Sequence, residues 1–209
     1  MHDVSAPLLD DRFPLPIDRP FTTEQARVAG LDGGDLGRLL SVGLIRRLVR
    51  GVLVAAQVPD SIRLRCQAVT LVVPSGAVVT DTTAGWLHGA EMVLAPNTHL
   101  HETPVSFFHR KPGLRSRASM CDSGERTMLD SDVTEICGLP VTTALRSALD
   151  MGRLLKRPRA FAALDSMLRL KKFEHAELLE QPSRFKGYRG VRQLRALAPW
   201  ADGRAESPG

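Results

Sequence analysis

Two glycines, Gly30 and Gly43, constrain the beginning of this chain more tightly than any other feature. Glycine enters the left-handed backbone region without a Cβ penalty, and it is the usual residue at which a helix stops. Ahead of Gly30, Thr22 followed three residues later by Gln25 has the form of a capping box, with Phe21 and Ala26 spaced for the accompanying hydrophobic staple. That spacing predicts a short helix over Thr23–Ala29, with Leu31 tucked under the turn. Asp32 then caps a second helix, Gly33–Val42, whose Leu36, Leu39 and Leu40 fall on one face. Leu44–Leu48 and Val52–Ala56 are short apolar-rich runs on either side of Val49, Arg50 and Gly51, which predicts an antiparallel hairpin. Helix, turn, helix and hairpin is the order of a winged helix-turn-helix. Residues 21–58 are therefore expected to form a DNA-binding domain of that kind.

The flanks of this segment read differently. Residues 1–20 hold Pro7, Pro14, Pro16 and Pro20 without any apolar period and are expected to be an extended arm. Beyond Pro59, Ile62, Cys66, Val69 and Val73 recur at helical spacing, Val78 and Val79 suggest a brief strand, and Asp81 or Thr82 caps a helix carrying Trp86 and Leu87. The region from Leu100 to Val141 reads as strands and loops. Helices are expected over Thr142–Leu155, Arg159–Leu170, Glu174–Leu179 and Val191–Leu197. The expected fold class is thus α+β: a winged helix-turn-helix, then a mixed α/β domain over residues 59–203 with a helical C-terminal part, then a tail, 204–209.

Charge points to an anionic partner, but not where the winged segment lies. The net charge is +5, yet residues 153–209 hold thirteen of the 28 basic residues and only six of the 23 acidic ones, leaving the first 152 residues slightly acidic. Three scattered cysteines, Cys66, Cys121 and Cys137, never in a CxxC spacing, suggest neither a disulfide framework nor a zinc ribbon. No apolar run is long enough to span a bilayer and the first residues do not read as a secretion signal, so a cytoplasmic protein without membrane contact is expected.

Within the winged segment, the second helix would enter the major groove, placing Gly33, Gly34, Arg38 and Ser41 against bases or phosphates, with Thr23 at the start of the first helix and Arg46, Arg47 and Arg50 of the hairpin on the backbone. Asp32 and Asp35 work against this, because carboxylates repel phosphate. Lys171, Lys172, Arg189, Arg192 and Arg195 form a second basic set, suited to a partner protein or to auxiliary DNA contact. His99 and His101 alternate on an expected strand with Glu102 and His109 nearby, but without a second spaced ligand pair no metal is expected, and no cofactor. Arg146 and Asp150, one helical turn apart, can form an ion pair as part of the scaffold. No spacing assembles a nucleophile with a base, so the chain is not expected to be an enzyme.

Several phrases carry a resemblance. Phe21-Thr22-Thr23-Glu24-Gln25-Ala26, Ala29-Gly30-Leu31, Leu39-Leu40-Ser41-Val42-Gly43 with Arg47 and Arg50-Gly51-Val52, then Trp86-Leu87-His88-Gly89, Gly138-Leu139-Pro140-Val141-Thr142-Thr143 with Arg146 and Leu149-Asp150, and Tyr188-Arg189-Gly190-Val191 resemble the AbiEi-like antitoxin and transcriptional-regulator family, in its actinobacterial form. The resemblance implies operator DNA binding by the winged domain, autoregulation, and a following domain that counters a nucleotidyltransferase-like toxin in a type IV toxin-antitoxin system. Long relatives continue into a domain similar to very-short-patch-repair endonucleases through a segment like Arg204-Ala205-Glu206-Ser207-Pro208. Two further readings stay open: the recognition portion of a nuclease-related protein without its catalytic domain, and a protein interaction module. Half-site geometry would make a DNA-binding form a homodimer.

Overall fold

In the computed structural model, residues 8–90, 104–109, 121–125 and 128–204 are described. They fall into two compact units, one from Met1–Pro74 with Asn97–Val105, the other from Ser75–Pro96 with Ser106–Gly209.

In the first unit, Thr22 and Gln25 make the reciprocal capping box: the Thr22 hydroxyl accepts the Gln25 amide at 3.0 Å, and the Gln25 side-chain oxygen accepts the Thr22 amide at 2.8 Å. Helix α1 spans Thr23–Val28, and Gly30, at φ +90°, turns the chain so that the Leu31 amide bonds back to the Ala26 carbonyl at 3.0 Å. Asp32 and Asp35 form a second capping box at the start of α2, Gly33–Ser41. Strands β2 (Ile45–Val49) and β3 (Val52–Ala55) pair antiparallel, and β1 (Phe21–Thr22) adds to the other side of β3, giving the order β1-β3-β2.

The hairpin sits one residue later on its first strand than the apolar runs suggest. An irregularity between Arg47 and Val49 accommodates Leu48, so Val49 pairs with Val52 and the turn narrows to Arg50 and Gly51, with Gly51 at φ +75°. Phe21, Ala26, Leu36, Ile45 and Leu53 form the core, and every residue of β3 is buried. Leu9, Phe13 and Leu15 pack on that core, and Leu9 exchanges both backbone bonds with the Gln57 amide. Residues 8–20 are therefore a docked segment and not a free arm: their apolar side chains lack a period because they follow a core surface instead of forming an element. Helix α3 (Ile62–Thr70), capped by Ser61, belongs to this unit and buries Leu64, Cys66, Ala68 and Val69.

The second unit is built on a five-stranded sheet of order β6-β5-β4-β8-β7, comprising β4 (Ala77–Val79), β5 (Val105–His109), β6 (Cys121–Glu125), β7 (Val133–Ile136) and β8 (Leu139–Thr142). β4 and β8 run parallel, and each passes directly into a helix: α4 (Asp81–His88) and α5 (Ala144–Leu154). Thr80, not Asp81 or Thr82, is the N-cap of α4, while Thr143 caps α5 by accepting the Arg146 amide. Helices α6 (Arg157–Arg169), α7 (His175–Glu180) and α8 (Val191–Leu197) complete the unit. α5 is buried along nearly its whole length, and Gly152 is where it admits its neighbours: a Cβ there would meet Leu194 at 2.7 Å and Leu164 at 3.1 Å.

Inside this unit the Arg146–Asp150 pair grows into a chain of charges. Arg146 donates to Asp132 at 2.7 Å and to Asp150 at 2.8 Å, Arg153 donates to the other Asp150 oxygen at 2.6 Å, and Arg184 reaches Asp132 at 2.9 Å. The Arg153 guanidinium lies 4.6 Å from the Phe185 ring centroid and donates to the Arg189 carbonyl at 2.9 Å. Each carboxylate is thus shared between two guanidinium groups, so its oxygens have charged donors in place of water.

Candidate nucleic-acid interface

The outer face of α2 is nearly bare. Gly33, Gly34, Gly37, Arg38 and Ser41 are exposed, and a Cβ at Gly33 or Gly37 would meet no atom within 4 Å. Helical spacing aligns Gly33, Gly37 and Ser41 in one row and Gly34 with Arg38 in the next. A surface without side chains lets a helix backbone come close to whatever it faces. Arg38 is the only long side chain in these rows: its side chain is 78% exposed, held loosely by Asp35 at 3.7 Å. Ser41 donates its hydroxyl to the Arg38 carbonyl at 2.8 Å, which leaves its oxygen able to accept.

The hairpin tip is anchored to the start of α1. Thr23, exposed at the first helical position, donates its backbone amide to the Gly51 carbonyl at 3.0 Å, so Thr23 and the Arg50–Gly51 turn are brought together. The three hairpin arginines do not act as a set. Successive strand residues point to opposite faces, which separates Arg46 from Arg47. Both are half-buried: Arg47 stands opposite Leu53, on the α1–α2 side, whereas Arg46 donates to the Val58 carbonyl at 2.8 Å. Arg46 is therefore tied to the segment after the hairpin, and as adjacent residues of a strand Arg46 and Arg47 point to opposite faces. Arg50 is half-buried in the turn.

Electrostatics at the start of α2 oppose an anion. Hydrogen bonds from the backbone amides of Asp35 and Gly34 hold the Asp32 carboxyl below its ordinary value, so it stays ionised. The helix amides that would have met a phosphate are already satisfied from within.

The second basic set is also divided. Lys172 donates to the His88 carbonyl at 3.0 Å, and Arg195 reaches the Pro182 carbonyl at 3.4 Å. Lys171 is exposed at φ +52°, just past α6, and Arg189 and Arg192 are exposed. Sequence reasoning missed buried Asp132 and Arg153, and exposed Arg184, as members of the charge chain. Only the Arg146–Asp150 spacing signalled it, since the others arrive from separate elements. His99, His101 and Glu102 lie outside the described residues, as does the side chain of His109. Among the described residues no group of three His, Cys, Asp or Glu is placed to hold a metal, and no helix is long and apolar enough to cross a membrane.

No family model matches the chain. It is similar to two curated proteins of Mycobacterium tuberculosis, uncharacterized protein MT2308 of strain CDC 1551 / Oshkosh and uncharacterized protein Rv2248 of strain ATCC 25618 / H37Rv. Each is 31% identical over 153 residues, 73% of this chain and 52% of the relative. The chain thus spans about half the length of these relatives. A crystal structure of the Rv2827c protein from Mycobacterium tuberculosis aligns over 90% of this chain and 73% of that one, with a TM-score of 0.41 and 12% identity.

Proposed function

We propose that this chain is a DNA-binding regulator of the antitoxin type, in which the first unit is a winged helix-turn-helix that docks on duplex DNA and the second unit holds a partner protein, a cognate toxin. The observation that carries the reading is the bare outer face of α2, where a single long side chain, Arg38, stands beside glycines and Ser41. A helix so stripped can lie deep in the major groove, with one guanidinium to pair with guanine O6 and N7. The sheet order β1-β3-β2 and the Thr23–Gly51 bond support it, because a wing would need its hairpin tied beside the helix pair in this way. The resemblance to the AbiEi-like family points the same way and motivates the autoregulatory, homodimeric and cytoplasmic parts of the reading. No catalytic role is assigned to this chain.

A second reading, in which the same face meets protein, is favoured by Asp32 and Asp35 at the start of α2. Fluorescence anisotropy separates the two, using the promoter duplex upstream of the gene and an unrelated duplex across a salt series. On the DNA reading, Arg38→Ala weakens the promoter complex by about 1–3 kcal/mol and the unrelated one little. Equal losses on both duplexes, or no salt-dependent binding at all, would sink it.

A further inference from the structure

A groove in the second unit runs between the start of α6 and the end of α8, lined by Arg157, Pro158, Phe161, Ala196, Leu197 and Trp200, with a volume of about 380 Å³. Trp200 is 77% exposed. Its backbone is not loose: Ala198 and Ala201 on either side are buried, the Ala198 carbonyl lies 2.8 Å from the His175 Nε2, and the Asp202 amide donates to Asp165 at 2.8 Å. The fold therefore pins the chain on both sides of an indole and leaves the ring in water. Tryptophan removes more apolar surface on burial than almost any other residue, and pre-fixed aromatic side chains are the usual anchors of protein contacts.

The charge around the groove indicates what would cover it. Among the described residues no carboxylate lines it, and Arg157 is the one charged residue that does. α6 opens with Lys156, Arg157 and Arg159, has no acidic residue in its first turn, and its N-cap residue Lys156 makes no side-chain capping bond. The positive end of a helix ordinarily attracts Asp or Glu, so three cations there are each placed against the local field. Arg192 stands one helical turn before Ala196, on the same side of α8, and adds to that sign.

We propose that this groove docks an acidic segment of a partner protein, which seats a large apolar side chain between Phe161, Leu197 and Trp200 and sets a carboxylate against Arg157 and the start of α6. The proposal deepens the partner-binding half of the reading above and is independent of its DNA-binding half.

The test is selection of a displayed library of random twelve-residue peptides on the full chain, counter-selected on the Trp200→Ala, Arg157→Glu double variant. Both substituted residues lie at the surface, and circular dichroism with thermal melting checks that the variant is folded. The expected result is enrichment of peptides with net negative charge and at least one large apolar residue, which bind the double variant about tenfold or more weakly and leave promoter-duplex binding unchanged. No enrichment over the variant, or enrichment of neutral or basic peptides, overturns the proposal. Protection of the Trp200 fluorescence from acrylamide by oligo-dT but not by the selected peptides overturns it in favour of nucleic acid. The same protection by raising protein concentration alone, with dimers in sedimentation, overturns it in favour of a second copy.

Discussion

Arg146 donates its Nε to the Asp150 carboxylate at 2.8 Å within a single turn of α5, and neither side chain is more than 3% exposed. A pair so deeply placed holds together only while both charges are present. Asp150→Asn removes the charge that Arg146 and Arg153 share, leaving Arg153 buried without a carboxylate and Arg146 with Asp132 alone. We predict a loss of about 3–5 kcal/mol in urea unfolding; a loss below about 1 kcal/mol would mean that water reaches these groups.

His88 predicts a pH dependence. It is buried, and its Nε2 lies 2.8 Å from the Thr142 carbonyl, which only accepts, so Nε2 carries the proton and donates. Desolvation, opposed by that hydrogen bond and reinforced by the nearby Lys172 charge, pushes its value down from 6.5. A histidine whose folded value lies below its unfolded one takes up a proton more readily when unfolded. Its contribution is therefore whole above the ordinary value of 6.5 and is lost as the pH falls from there toward the lowered folded value. Urea midpoints measured between neutral and mildly acid pH should fall more steeply for the wild type than for His88→Gln, which keeps a donor but cannot titrate; parallel curves would refute this.

The two hairpin arginines should behave oppositely. Arg47→Ala is predicted to weaken all duplexes alike and to reduce the salt slope by about 0.9, the value of one phosphate contact. Arg46→Ala, which removes the bond to the Val58 carbonyl, should instead cost the first unit about 1 kcal/mol of stability and leave the salt slope in place. The reverse assignment in paired titrations and melts would show that the sheet faces are misassigned.

Gly190 explains part of the Tyr188-Arg189-Gly190-Val191 phrase. It sits at φ +77°, and a Cβ on it would overlap the Arg153 carbonyl oxygen. Gly190→Ala is therefore predicted to destabilise by more than about 2 kcal/mol, the left-handed backbone and the backbone clash acting together. A melting temperature within a degree of wild type would contradict the close approach.

Local signals carried the first unit. Thr22 and Gln25, Gly30, Asp32 and Gly43 all act within a few residues of themselves, and α1, α2 and the hairpin appear within a residue or so of where those signals put them. Leu48 displaced the hairpin register because a bulge depends on the partner strand, not on the strand that carries it. The docking of Leu9, Phe13 and Leu15 was hidden for a related reason: an irregular segment that follows a core has no period to detect. In the second unit the helix order was readable, but the meeting of Asp132, Arg146, Asp150, Arg153 and Arg184 was not, since it joins residues from a turn before β7, from α5 and from a turn after α7. Of the candidate interface, exposure of Thr23, Gly34, Arg38 and Ser41 followed from helix geometry; the separation of Arg46 from Arg47 follows from strand pleating and was overlooked.

The parallel pairing of Val79 with Val141 sets the order of events by which the second unit assembles. β7 and β8 are neighbours in the chain, and so are α5 and α6; they can meet early at little entropic cost. β4 must find β8 across a long stretch of chain, and the freedom lost in closing that loop comes before any strand pairing is gained. We predict that this one long-range encounter, and not the helices, limits the rate at which the unit folds, so Val79→Ala should slow refolding more than Leu164→Ala does, in stopped-flow mixing, even where the two cost equal stability.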